Sequence, residues 1–458
     1  MKYWMLILLS TYSLFSQNMQ GTIVDSDTNA PLENVTVYLK KIKKGTNTNI
    51  NGEFILKLDS KLKTSDTIFI SMIGYHSKTT TSSELKKNDF KIRILKKTEQ
   101  LNKIVVSSNQ ELKTYISYKK LAPLKRGIHS FGSELIDNKI YLIAGDASYI
   151  EDNQKRALLE MQMRAQATFS DLLRRISSSP DPTYETYKGE LQVYDLKTNS
   201  WKRKELKFKK RAYHNINYFN NKIYVLGGKG LSANKKKEYL NNTIEIYDIK
   251  NDSIIIDKTN PHQAINFASF SYNNNLIVMG GSVKINKKGE KIYTDKSHIY
   301  NVDTGYWYEL KNLTKAKEVK GVLIENIIYL IGGFNGKPLT EIETYNITTG
   351  TWTTEGDLFS GLKHPALAYS NNMIYIFEKS KLLTYNIITK TLNEYNINLK
   401  LEASRIHYYK NKLYVVGGYI INDYSKSPSS NLYSIDINEF ETTKIINSKT
   451  FSRNLISN

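Results

Sequence analysis

Six apolar, β-branched and aromatic runs punctuate this chain, each stopped by glycine or its replacement. They lie at 140–145, 223–228, 276–281, 328–333, 374–379 and 413–418. Each reads as a buried strand ending in a tight turn. Another strand-like run precedes them, as at 131–136 and 213–219. A third follows and closes on Tyr194-Asp195, Tyr247-Asp248, Tyr300-Asn301, Tyr345-Asn346 or Tyr385-Asn386, with Ser434-Ile435-Asp436 in the sixth repeat. Then comes a turn and often a tryptophan: Trp201, Trp307, Trp352. Four strands per repeat is the unit of a propeller blade, so the pattern predicts an all-β, six-bladed ring over 125–449. The glycines that end the runs are structural in this reading: Gly145, Gly227, Gly228, Gly280, Gly281, Gly332, Gly333, Gly417 and Gly418. The fifth repeat has Glu378-Lys379 instead.

The second glycine position recurs at 145, 228, 281, 333, 379 and 418, so the first step is longer than the rest by about one helix. Leu158, Met161, Ala165, Phe169, Leu172 and Ile176 stand at three- and four-residue spacing inside it. That period predicts one amphipathic helix over 152–178, within an insertion at 149–180 of blade one. Its charges nearly balance, which argues against a membrane-surface helix.

These repeats resemble the Kelch family, whose units run to about 50 residues. The resemblance covers roughly 119–449. It implies that the start of each first strand lies near the channel mouth. Arg126 with His129, and Arg211 with His214, repeat an Arg-x-x-His spacing there. Two such pairs are candidate ligand-binding residues for a carboxylate or sulfate. The same resemblance implies a second role for them, as hydrogen-bond partners between blades. Loops between second and third strands are long in blades six, one, two and three, so a ligand is expected on that face, off-centre toward them.

The first 110 residues follow another pattern. Lys2 and the apolar run at 3–15 predict a signal peptide over 1–16, too short to span a bilayer. Short alternating strands follow: Gly21-Thr22-Ile23-Val24-Asp25, Asn34-Val35-Thr36-Val37, and Gly52-Glu53-Phe54 after Asn51. Asn51-Gly52 is a hairpin signal, and Gly74 permits a bend before Tyr75. These motifs resemble the carboxypeptidase-regulatory-like domain, which implies a seven-stranded β-sandwich over 17–106. Leu101-Asn102-Lys103-Ile104-Val105-Val106 resembles the segment leaving that domain in TonB-dependent receptors, where it is an accessory module. Residues 107–124 are expected to be linker and a possible closing strand, with 442–446 a rival closing strand and 450–458 a tail.

The formal net charge is +21, yet only ten of the 65 basic residues are arginine. Nucleic-acid readers favour the planar guanidinium fork, so the basicity reads as a lysine coat. The chain has no cysteine, which removes disulfides, thiolate metal sites and a lipid anchor on cysteine. It also removes the galactose-oxidase type of Kelch enzyme, whose copper site needs a crosslinked cysteine. Seven scattered histidines give no metal-site spacing. No cofactor, metal, catalytic residue, nucleic acid or transmembrane segment is therefore expected. The expectation is an exported, non-catalytic protein that binds a glycan or envelope protein, placed by the resemblance in the periplasm, on the outer-membrane surface or outside a Gram-negative cell. The alternative is a carbohydrate-active Kelch enzyme such as a sialic-acid epimerase or mutarotase.

Overall fold

The computed structural model describes residues 17–451, apart from 40, 43, 59–62, 73, 97–110, 164–167, 179–181, 235–236 and 286–289. The expected signal peptide, the segment at 101–106 and the tail from 452 lie outside the described residues. Among those residues no helix is long and apolar enough to cross a membrane. Two compact units emerge, Met1–Gln110 and Glu111–Asn458.

In the first unit, Gln17–Asp25 pairs antiparallel with Glu53–Leu58 and parallel with Lys91–Ile94. A second sheet sets Thr36–Leu39 between Lys44–Asn47 and Thr67–Ser71, with Lys78–Thr81 outermost. Glu53–Leu58 alternates exposed and buried residues, as a half-buried strand must. Phe54 and Leu56 thereby join Ile23, Val37, Ile68 and Ile70 in one core. A capping box of Thr81 and Glu84 opens the helix α1, Ser82–Lys87. The Asn51-Gly52 turn differs from the expected hairpin, because its flanking strands belong to different sheets. Gly52 adopts φ +72, and its carbonyl accepts the Ile23 N–H at 2.8 Å. That bond holds the turn as a crossover between the sheets.

Among the described residues, six sheets of four or five strands form the blades of the second unit. Their first strands are Gly132–Ile136, Asn215–Phe219, Ala268–Tyr272, Glu318–Ile324, Ala366–Ser370 and Arg405–Tyr409, and each neighbours the next in a closed ring. The ring leaves only short strand edges, protected within the channel. Five blades supply their own four strands, but the sixth supplies three. Lys119–Lys120 takes its fourth place, opposite Tyr433 and Ser434. The C-terminal Asn447–Thr450 instead extends blade five, against Thr391–Asn396. Third-strand tyrosines pack on fourth-strand tryptophans: Tyr194 on Trp201, Tyr300 on Trp307 and Tyr345 on Trp352, with centroids 5.0, 4.9 and 4.8 Å apart. The Tyr-Asp pairs are thus packing and turn devices. Asp195 Oδ1, for example, accepts the Lys197 and Thr198 N–H groups.

Gly333 shows why glycine recurs after the second strand. Its φ is +115, and a Cβ there would lie 2.4 Å from the Glu318 carbonyl oxygen. Lys379 holds this place in blade five at φ +56, a left-handed well that a side chain can enter.

The blade-one insertion contains two helices where one was expected: α2, Asn153–Gln162, and α3, Phe169–Ser178. Thr168 restarts the helix. Its Oγ1 accepts the Asp171 N–H, and Asp171 Oδ2 accepts the Thr168 N–H, satisfying donors that a helix start leaves orphaned. Arg175 pairs with Glu160 between the two helices. Small hairpins rise from blades two, three and six: Lys229–Leu231 with Glu238–Leu240, Ser282–Ile285 with Lys291–Tyr293, and Tyr419–Ile421 with Ser425–Pro428. Ile150–Glu151 of the insertion adds to the last of these.

Candidate functional site

At the ring's mouth the blades are stitched by backbone hydrogen bonds. The Tyr213 N–H donates to the Ser130 carbonyl at 2.7 Å, Asn266 to Tyr213 at 3.0 Å, and Val319 to Asn266 at 3.0 Å. Over this mouth lies a cavity of about 520 Å³. The hairpins of blades two, three and six form its walls. Lys229, Lys284, Lys291, Lys363 and Lys426 line it, with Tyr213, Tyr239, Tyr419, His364 and one carboxylate, Glu238.

The lysines divide into two groups. Lys229 pairs with Glu238 at 2.5 Å, and Lys291 with the buried Glu318 at 2.7 Å. Among the described residues, Lys284, Lys363 and Lys426 have no carboxylate at ion-pair distance. Lys426 lies 4.2 Å over the Tyr419 ring and Lys363 4.4 Å over Phe334, cation–π contacts that hold the chains without neutralising them. Burial pushes the Lys426 ammonium below its ordinary range, partly offset by Asp146. The cavity therefore carries excess positive charge beside aromatic faces.

Its floor holds a hydrogen-bonded group. His364 Nε2 meets Glu318 Oε2 at 2.8 Å, and Ser282 Oγ donates to Glu318 Oε1 at 2.6 Å. Burial alone would raise the Glu318 carboxyl, but the hydrogen bond and charge of His364, and after them Lys291, outweigh it and hold it at about 2. Burial pushes the His364 imidazole down despite that carboxylate. An imidazole hydrogen-bonded to a buried carboxylate is a proton-transfer arrangement. Among the described residues, no group of three His, Cys, Asp or Glu side chains is placed to hold a metal ion.

None of the four residues singled out in the sequence lines this cavity. Arg126 is exposed. His129 is fully buried, with Nε2 3.6 Å from Asp146 Oδ2, and its ring packs edge-on against Tyr419. Arg211 is fully buried, donating to Glu245 Oε2 at 2.5 Å and to the Gly227 carbonyl at 2.9 Å. His214 is buried and accepts the Gly132 N–H at 3.0 Å through Nε2. The fold separates the two Arg-x-x-His pairs. His129 bridges to Asp146, whereas Ala212 bridges to Lys229, so the pairs are two residues out of register. The sequence contains the clue, because the arginines are 85 residues apart and the glycines 83. Arg211 aligns instead with Lys317 of blade four, which makes the same buried pair with Glu343. In blade one Gln192 holds the third-strand place of Glu245, and Arg126 has no such carboxylate to meet.

The lining lysines and the Glu318–His364 pair were missed because nothing marks them in one dimension. They come from five blades, and lysine is abundant everywhere. The one available signal was the clustering of long loops on blades six, one, two and three.

Residues 180–343 match the family described as Attractin/LZTR1 beta-propeller, and 19–106 match the CarboxypepD_reg-like domain. Among similar proteins is the Kelch repeat and BTB domain-containing protein 2 of Cowpox virus, 28% identical over 149 residues, which are 32% of this chain and 26% of that protein. Another is the Kelch-like protein terF of Aspergillus terreus, 24% identical over 190 residues, 39% of this chain and 41% of the relative. The chain thus spans less than half the length of these relatives. Repeat pattern, ring of sheets and family matches agree on a β-propeller similar to those of Kelch-repeat proteins, in a chain whose N-terminal region matches the carboxypeptidase-regulatory-like domain.

Proposed function

We propose that this is an exported, non-catalytic interaction protein whose propeller captures an acidic glycan, or an acidic envelope protein, in the lysine-lined cavity. The observation that carries this reading is the set of three lysines, Lys284, Lys363 and Lys426, which face one cavity with no carboxylate partner among the described residues. Charge-assisted hydrogen bonds to an anionic ligand would satisfy them, and the tyrosines offer faces for sugar rings. Export is supported by the Lys2-led apolar run and by the N-terminal domain, of a kind typical of bacterial envelope proteins. The test is a glycan array on the mature protein, followed by titration of the best acidic hit. A charged hydrogen bond is worth about 1.5–3 kcal/mol, so Lys363→Ala and Lys426→Ala should each weaken binding roughly tenfold or more. Failure to bind any acidic glycan or peptide, or unchanged affinity in both variants, overturns the reading. N-terminal sequencing from the native host should begin near Gln17; an intact Met1 in a cytosolic fraction refutes export.

A second reading rests on the His364–Glu318 pair in the cavity floor, which gives a carbohydrate-active enzyme its general base. A sialic-acid mutarotation assay separates the two. Turnover lost in His364→Ala with binding retained favours the enzyme; no turnover by the unaltered protein removes it.

A further inference from the structure

One residue from each inner strand stands at the same level of the ring. Gly132, Asn215, Ala268, Lys320, Ala366 and Arg405 all occupy it, each opposite the apolar residue two places before the second glycine position of its repeat. Three of the six are Gly or Ala, one is an amide and two are cations. Both cations converge on a single neutral acceptor. Arg405 NH2 lies 2.8 Å from Asn215 Oδ1, and Lys320 Nζ lies 3.3 Å from the same atom. Their other acceptors are main-chain carbonyls: those of Phe131 and His214 for Arg405, and of Phe267 for Lys320. Among the described residues neither cation has a carboxylate at ion-pair distance. Charges withdrawn from water are ordinarily paired, and here two half-buried ones share one amide oxygen.

Space accompanies the charge. Two adjoining channel cavities, about 320 and 390 Å³, are both lined by Ser133, Glu134, Lys320 and Arg405. We propose that the central channel is a second anion site, in which Lys320 and Arg405 bind a small oxyanion of the carboxylate or phosphate class. The site is separate from the loop-face cavity. Between them lies a void of about 20 Å³, lined by residues of both, which holds about one water.

Protonation favours the same reading. Burial lowers Lys320 well below its ordinary value, with the Arg405 charge adding to the effect. Burial brings Arg405 to about 10. An anion between them would restore both. Among the described residues Glu134 is the one carboxyl lining both cavities and makes no ion pair, and burial raises it to about 7 against the pull of Arg405. When ionised it competes with an incoming anion.

Calorimetric titration of the full chain at pH 8 and low ionic strength, with inorganic phosphate in one arm and acetate in the other, tests this. One equivalent of at least one probe should bind, and the preferred arm names the class. Lys320→Met and Arg405→Met should each weaken binding at least tenfold, Lys320→Arg should retain it, and Glu134→Gln should tighten it. The loop-face double variant Lys363→Ala with Lys426→Ala should leave it unchanged, which keeps this proposal distinct from the loop-face one. Binding that survives both Met variants, or disappears only in the loop-face variant, overturns the proposal. If the Met variants do not fold, the unaltered protein decides. Its melting temperature should rise with phosphate or acetate beyond a chloride control of equal ionic strength, and no rise in either arm refutes the site.

Discussion

Arg126 and Arg211 stand in the same four-residue motif, and removing them should have opposite consequences. Arg211 is fully buried against Glu245, which is itself 3% exposed. Truncating it leaves an uncompensated carboxylate in the interior. It also strips a donor from the Gly227 carbonyl. Breaking a buried pair from one side costs about 3–5 kcal/mol. A unit the size of Glu111–Asn458 unfolds with roughly 2.1 cal/mol/K per residue, so this loss corresponds to a fall in Tm of about 4–7 °C. Arg126 is exposed, and its removal should stay within about 0.5 kcal/mol, under roughly 1 °C. Removing both partners together, as Arg211→Met with Glu245→Gln, should recover part of the loss, because no unpaired charge remains. Thermal melts of the unaltered protein, Arg126→Ala, Arg211→Ala, Arg211→Met and the double variant by circular dichroism make the measurement. Equal shifts for Arg126→Ala and Arg211→Ala would refute the register assigned to the two motifs. A double variant no better than Arg211→Met would refute the ion-pair account of the cost.

Gly333→Val should lower stability by at least about 1–3 kcal/mol, since it adds a clash with the Glu318 carbonyl to the backbone strain; Lys379→Gly, at a left-handed position already open to side chains, should move the melt far less, and equal effects would sink the distinction. A chain starting at Ser107 should fold cooperatively by calorimetry, whereas one starting at Lys125 lacks the strand that pairs with Tyr433 and Ser434 and should melt earlier; identical melts would show that the strand does not close the ring. Glu318 titrates at about 2 in the folded protein against an ordinary 4.5, so its contribution is full above pH ~4.5 and lost as pH falls toward 2. Glu318→Gln should flatten that acid limb in stability–pH curves, and an unchanged slope would refute the assignment.

The hydrophobic pattern alone specified strands, turns and repeat number, because a buried strand ending at a glycine-bearing turn leaves the same mark in each repeat. The core came with it: the runs at 140–145 and 328–333 are among the most buried residues of the ring. The sandwich was legible for the same reason, through period-two burial in Glu53–Leu58. Local pattern could not say which strands pair. Asn51-Gly52 has hairpin chemistry, yet joins two sheets, because the Ile23 N–H claims the Gly52 carbonyl. The Arg-x-x-His spacing misled for a related reason. Identical short motifs two residues out of register face different neighbours, and only the ladder with the second strand fixes register. The loop-face cavity and the channel cations lay further out of reach. Glu318 and His364 stand 46 residues apart, and Lys320 and Arg405 stand 85 apart. Packing of adjacent blades joins the first pair and the curvature of the ring the second, since a propeller gathers one short segment from every blade around a single axis. The sequence therefore determined what each blade is, and the closed tertiary ring decided which side chains meet at its centre.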